Sequence, residues 1–237
     1  MRPWMSLFAL AAALAIVLGW LFRDSFNGDL ALFANDGPLG LIAAAQYRDL
    51  LNVRSPLQMW ADLNWVGMYG GTNPLPFTTG LFLLLEPRDF VSFAPPLMCL
   101  WLGVCVWLFS RALGFRPAVA ALGGLAAALN GDFFSYAAWG LPSLTACVAA
   151  VFLALAAIAA PWRRAWLRWP LAGVALGFAL VEGFDNGAIF SLYVAAFAVA
   201  WTWFGRRKEA PARALLGGGA GVTGIAVAAA VTAAHIL

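Results

Sequence analysis

Charged residues are scarce in this chain. Asp, Glu, Lys and Arg make up 11% of its 237 residues, against roughly a quarter in a soluble globular domain. Too little charge remains to coat a water-facing globule of this size. Histidine is almost absent, with His235 alone near the end, where it reads as a span-end residue. The three cysteines, Cys99, Cys105 and Cys147, stand singly inside apolar runs and form no CxxC pair. That spacing does not suit a zinc site, and no metal ligand set is assigned. The cysteines read as small membrane-core residues. A small-x-small cleavage signal is also missing after the first apolar run, where the chain continues Gly19-Trp20-Leu21-Phe22-Arg23-Asp24. The run is therefore an uncleaved signal anchor rather than a removed leader. The basic runs are short, Trp162-Arg163-Arg164 and Arg206-Arg207-Lys208. They read as topology signals and anionic-lipid contacts, with nothing that points to nucleic acid.

What the chain has in excess is apolar surface. It is 63% hydrophobic with 12 Trp and 18 Phe, and its mean hydropathy is +0.84. A membrane span needs about 20 mostly apolar residues. Seven segments meet or approach that length, at 4–22, 90–110, 117–131, 142–160, 170–184, 188–205 and 214–235. The expected fold is an all-α, multi-pass transmembrane bundle forming a single membrane domain over 1–237. It divides into a first span at 4–22, a loop at 23–89 and a six-helix remainder at 90–237. The third and fifth segments are short and rich in Gly and Ala. Gly123-Gly124 and the pair Gly173 and Gly177 suit close helix contact. The chain stops at Leu237 at the end of an apolar run with no polar tail, which reads as a fragment incomplete at that end or as a natural product shorter than its relatives.

Charge sets the expected orientation. With the N-terminus in the cytoplasm, that side holds Arg2, Arg111, Arg116, Arg163, Arg164, Arg168, Arg206, Arg207, Lys208 and Arg213, with Glu209 its only acid. The other side holds Arg23, Arg48, Arg54 and Arg88. It also holds Asp24, Asp29, Asp36, Asp49, Asp62, Glu86, Asp89, Asp132, Glu182 and Asp185. Every cytoplasmic loop then obeys the positive-inside rule.

The extracytoplasmic loop at 23–89 is the one long stretch outside the expected spans. Asn35-Asp36-Gly37-Pro38 forms a turn into an amphipathic interfacial helix at about 38–52. Ser55-Pro56-Leu57-Gln58 fits a capping box and predicts a second helix carrying Met59, Trp60, Leu63 and Trp65. The breaker-rich segment Gly70-Gly71-Thr72-Asn73-Pro74-Leu75-Pro76 is a loop. Residues 77–85 are too short to span and predict a re-entrant or surface-lying helix. Such a loop either carries function or caps the bundle.

The ordered features are a signal anchor, FANDGPLG (33–40), WADLNWVG (60–67), GTNPLPF (71–77), FSRALGF (109–115) and ALGGLAAALNGDFFSYAAWGL (121–141). In this order they resemble bacterial YfhO-like membrane proteins, which are similar to C-type (GT-C) glycosyltransferases. The resemblance covers roughly residues 4–160, an N-terminal part of such proteins, and the later spans match only in hydropathy. It implies sugar transfer from a polyprenyl-phosphate carrier to an acceptor at the outer face of a bacterial inner (plasma) membrane. It also implies a carboxylate in the first outer loop, the place occupied here by Asp36. An acceptor hydroxyl needs a base as its new bond forms. A leaving phosphate needs a cation or a divalent metal to absorb its charge. The loop departs from the family pattern in having no Asp-x-Asp or Glu-x-Asp at its start.

Each candidate also has a structural reading. Asp36 is the catalytic candidate, or the residue that caps the helix after its turn. Asp132, in Asn130-Gly131-Asp132, would join it, or is a helix-end turn residue. Glu182 and Asp185 would bind substrate at a costly membrane depth, or occupy a tight, solvated hairpin. Arg48, Arg54 and Arg88 would bind a phosphate, or pair with neighbouring acids such as Asp49 and Asp89. Trp60, Trp65, Tyr69 and Trp139 would stack on sugar rings, or form an interfacial aromatic belt. Two other functions compete with transfer. A transporter or flippase of a lipid-linked or small solute would carry mid-span charges or paired interrupted helices, and neither is found. A membrane scaffold would tolerate neutralisation of every outer acid.

Overall fold

The computed structural model describes residues 3–27, 59–61, 68–70, 77–139, 141–205 and 211–234. The predicted helix at 38–52, together with Asp36, Arg48, Arg54, Trp65 and His235, lies outside them.

Eight α-helices fill most of the described chain. They are α1 (Pro3–Leu21), α2 (Phe77–Leu84), α3 (Pro87–Ala112), α4 (Pro117–Ala128), α5 (Gly131–Ala138), α6 (Pro142–Ala159), α7 (Arg168–Gly205) and α8 (Pro211–Ala233). Proline opens α1, α3, α4, α6 and α8. Its fixed φ and missing N–H suit the first helical position, where that donor would have no helical partner. Five apolar helical segments are long enough to cross a membrane: α1, α3, α6, the Asp185–Gly205 part of α7, and α8. The chain is therefore an integral membrane protein with an all-helical membrane portion.

Two short strands make the exception. β1 (Met59–Ala61) pairs antiparallel with β2 (Met68–Gly70), and Trp60 stands opposite Tyr69. This corrects the second loop helix expected from Ser55 onward. Helix propensity is a weak prior that pairing overrides, and Trp and Tyr favour strands. The segment expected to be re-entrant or surface-lying is indeed a short helix, α2.

The third expected span, 117–131, divides in two. α4 has 12 residues, a rise of about 18 Å, short of the roughly 30 Å hydrocarbon core. The break falls at Leu129-Asn130, and the Asn130 side chain accepts the Asp132 N–H at 3.0 Å to start α5.

α7 is one helical stretch, with no coil residue at the place where a break between two spans was expected. Its 38 residues would extend about 57 Å if straight, but the chain doubles back. A Cβ placed on Gly187 would lie 2.5 Å from the Ala179 carbonyl oxygen and 2.7 Å from Leu180 Cα. Residues seven or eight positions apart on a straight helix are separated by more than 10 Å. α7 is thus two arms joined near 183–187, and only glycine allows so close an approach at 187.

The remaining contacts assemble the bundle. α1 presents Ser6, Leu10, Leu14 and Leu18 to the interior, one residue per helical turn. Trp107 Nε1 donates to Ser6 Oγ at 3.1 Å. α3 meets α4 where a Cβ on Gly124 would lie 2.6 Å from the Gly103 carbonyl oxygen. The first arm of α7 meets α8 through Gly173 and Gly177, whose added Cβ atoms would fall 2.5 Å from Ile225 O and Thr232 Cβ. Small residues draw helices together where hydrocarbon surrounds them and dispersion does the holding. Outside, Phe8, Ile16 and Leu216 are each 73% exposed, as lipid-facing side chains are.

Charge divides by end. Phe22 packs on Phe134, Phe26 on Phe93, and Gly183 against Cys147. One end therefore gathers the turn after α1, α2, the start of α3, α5, the start of α6 and the fold-back of α7. All the described acids lie there: Asp24, Glu86, Asp89, Asp132, Glu182 and Asp185. The opposite end carries Arg111, Arg116, Arg163, Arg164, Arg168 and Arg213, with no acid among the described residues.

Candidate functional site

The most constrained group at the acidic end is Glu182. It sits at the fold-back of α7 with 7% of its surface exposed. Its Oε1 accepts the backbone N–H of Thr78 at 3.0 Å, and its Oε2 accepts the Thr78 hydroxyl at 2.5 Å. The backbone of Phe77 also donates to it. A carboxylate from α7 thus caps the first turn of α2, 104 residues earlier in the chain. Helix N-termini leave N–H groups without helical partners and carry partial positive charge, so an anion is favoured there. The cap needs no acid within α2 itself, whose sequence FTTGLFLL has none. Glu182 is buried and hydrogen-bonded at the hairpin, not solvated.

The neighbouring turn is tight. A Cβ on Gly183 would fall 2.5 Å from Cys147 Sγ, so the fold-back is wedged against the start of α6. Phe77 also stacks near Trp101, with ring centroids 6.2 Å apart. These contacts fix α2, and with it the point where the 23–76 segment rejoins the bundle.

Asp185 is placed differently. It is exposed and lines a cleft of about 540 Å³ between the two arms of α7 and α8. The walls are apolar, including Leu176, Leu180, Leu192, Ile225 and Ala229, and Ser191 adds a hydroxyl. That hydroxyl donates to the Ala188 carbonyl at 2.6 Å. A pocket of this size, apolar within and polar at few points, is a usual form of small-molecule site.

Asp132 lies exposed in the first turn of α5, started by Asn130. Arg88 and Asp89 lie exposed in the first turn of α3. Trp139 is 52% exposed after α5. Trp60 and Tyr69 share a register position on the strand pair. The structure thus brings Glu182 onto Thr78 and sets Asp185 on a cleft. Asp132 and Arg88 share the same end of the bundle. No group of three or more His, Cys, Asp or Glu residues suited to a metal occurs among the described residues.

Sequence reasoning missed Thr78. The available signal was Pro76-Phe77-Thr78-Thr79, a breaker followed by hydroxyl residues at the head of an apolar run, which marks a helix start. Its distant partner had no local signal. Neither a family model, nor a curated protein, nor a solved structure matches the chain.

Proposed function

We propose that this chain crosses a bacterial inner membrane seven times, with its N-terminus in the cytoplasm. In this reading it acts as a GT-C-like glycosyltransferase on the outer face, taking its sugar from a polyprenyl-phosphate donor. The observation that carries the reading is the apolar cleft beside Asp185 at the acid-bearing end. It can receive a hydrocarbon chain while a carboxylate stands where a polar headgroup would emerge. The ordered resemblance at 4–160 and the division of charge between the ends support it further.

The reaction would run by direct displacement. Asp36 takes the proton of the acceptor hydroxyl as its oxygen bonds to the anomeric carbon. The bond from that carbon to the phosphate oxygen breaks, and polyprenyl phosphate leaves with the electron pair. Asp185 accepts hydrogen bonds from sugar hydroxyls. Arg88, exposed at the same end, is suited to the departing phosphate charge. Asp132 supplies a second carboxylate near the acceptor. Glu182 serves this site by positioning, since both its oxygens hold α2.

The test is Asp36→Asn in the native gene, with Asp185→Asn beside it, at unchanged protein abundance. Lipid-linked sugars and surface glycans are measured. Loss of a general base typically costs about 10²–10⁴ in rate. The proposal expects a polyprenyl-linked sugar to accumulate or a glycan to lose a substituent in Asp36→Asn. Wild-type profiles for both variants would reject transfer chemistry and leave a scaffold or transporter.

A further inference from the structure

We propose that the basic end of the bundle holds a binding site for the headgroup of an anionic phospholipid. A cavity of about 420 Å³ opens there where α7 begins, where it ends and where α8 begins. Trp166, Arg168, Trp169, Trp201, Thr202 and Gly217 line it. It lies at the opposite end of the bundle from the acid-bearing face and plays no part in the transfer proposed there.

Arg168 is held in place. Its Nε donates to the Ala165 carbonyl at 3.0 Å, and its guanidinium lies 5.9 Å from the Trp169 ring centroid. The side chain is half-buried. A guanidinium carries five N–H donors in a fixed fork, and this bond uses one. The others match two oxygens of a phosphate, the geometry in which Arg exceeds Lys. Thr202 adds a hydroxyl whose proton goes to the Ala198 carbonyl at 2.9 Å, leaving its oxygen as an acceptor. Arg163 and Arg164 stand exposed on the linker that leads into the cavity. No acid among the described residues opposes them.

The surroundings favour a lipid over a free phosphate. Trp166 is 60% exposed, and Trp162 is fixed by its Nε1 donating to the Ala157 carbonyl at 2.7 Å. Tryptophans collect where hydrocarbon meets headgroups. Leu171, three residues after Arg168, and Leu216, beside Gly217, are exposed. Acyl chains can lie on that surface while the phosphate enters the cavity. Basic pockets between membrane helices are a known form of anionic-lipid site.

Native mass spectrometry of the detergent-purified chain tests this, with phosphatidylglycerol, phosphatidylcholine and inorganic phosphate as probes. The expected result is retained phosphatidylglycerol, little phosphatidylcholine, and no displacement by equimolar phosphate. Arg168→Gln should lower phosphatidylglycerol affinity about fivefold, the effect of one cation near an anionic surface. Arg116→Gln, exposed at the same end just before α4 and outside the cavity, should leave it near wild type. Equal retention of the two lipids would overturn the site. Displacement by inorganic phosphate would show a free-anion site instead. Equal losses in the two variants would show a diffuse field rather than a cavity. If Arg168→Gln is not recovered folded, the wild-type competition among the three probes still decides.

Discussion

Glu182 joins two parts of the chain that local sequence cannot connect. A carboxylate taken this far from water is stabilised only when donors replace its hydration. Here Phe77 and Thr78 supply them. Removing one partner of such an arrangement leaves the others buried without theirs, which costs more than the bond itself is worth. Glu182→Ala is expected to destabilise the folded chain by about 2 kcal/mol. Thr78→Val, which removes only the hydroxyl donor, should cost about 1 kcal/mol. Thermal unfolding in detergent measures both. A wild-type midpoint for Glu182→Ala would show that the cap contributes nothing. Glu182 was visible in the sequence as an acid at membrane depth, but its role was not. Two threonines after a proline carry no information about a carboxylate 104 residues away.

Elements were legible where hydrophobicity alone determines them. The long apolar runs of α1, α3, α6 and α8 stand near their expected positions, because a span must be continuously apolar for about 20 residues. The close helix contacts at Gly124, Gly173 and Gly177 were legible for a similar reason, since small residues at helical spacing have few other uses in a membrane. Gly123, flagged with them, meets only Ser110 Oγ at 3.6 Å. Pairing was not legible. β1 stands where a capping-box pattern predicted helix, because that pattern describes only the chain's own first turn and not its partner strand. The α7 hairpin shows a third case: the reversal was expected, but so short a join, helical on both sides of 183–187, was not. Spin labels at Leu176→Cys and Ala195→Cys, with the native cysteines replaced by alanine, test the reversal. Both positions line one cleft, so their separation should be clearly shorter than the ~28 Å of a straight helix. A distance near that value would contradict the doubled-back arrangement.

For the whole molecule, the consequential feature is the separation of charge between the two ends. The same separation could be read in the sequence by counting residues between spans, and the helix contacts reproduce it in three dimensions. Moving basic loops across a membrane is disfavoured, so the proposed orientation puts the arginine-rich end in the cytoplasm and the acids outside. The proposed sugar transfer needs that arrangement, because Asp36, Asp132 and Asp185 must share the compartment of the acceptor. Asp132 and Arg163 are exposed at opposite ends, while Cys99, Cys105 and Cys147 are fully buried and give little background. The most direct test is a membrane-impermeant maleimide applied to right-side-out spheroplasts carrying Asp132→Cys or Arg163→Cys. Labelling of Asp132→Cys in intact spheroplasts, with Arg163→Cys labelled only after lysis, is the predicted result. Labelling of Arg163→Cys from outside, or of both variants alike before lysis, would contradict it.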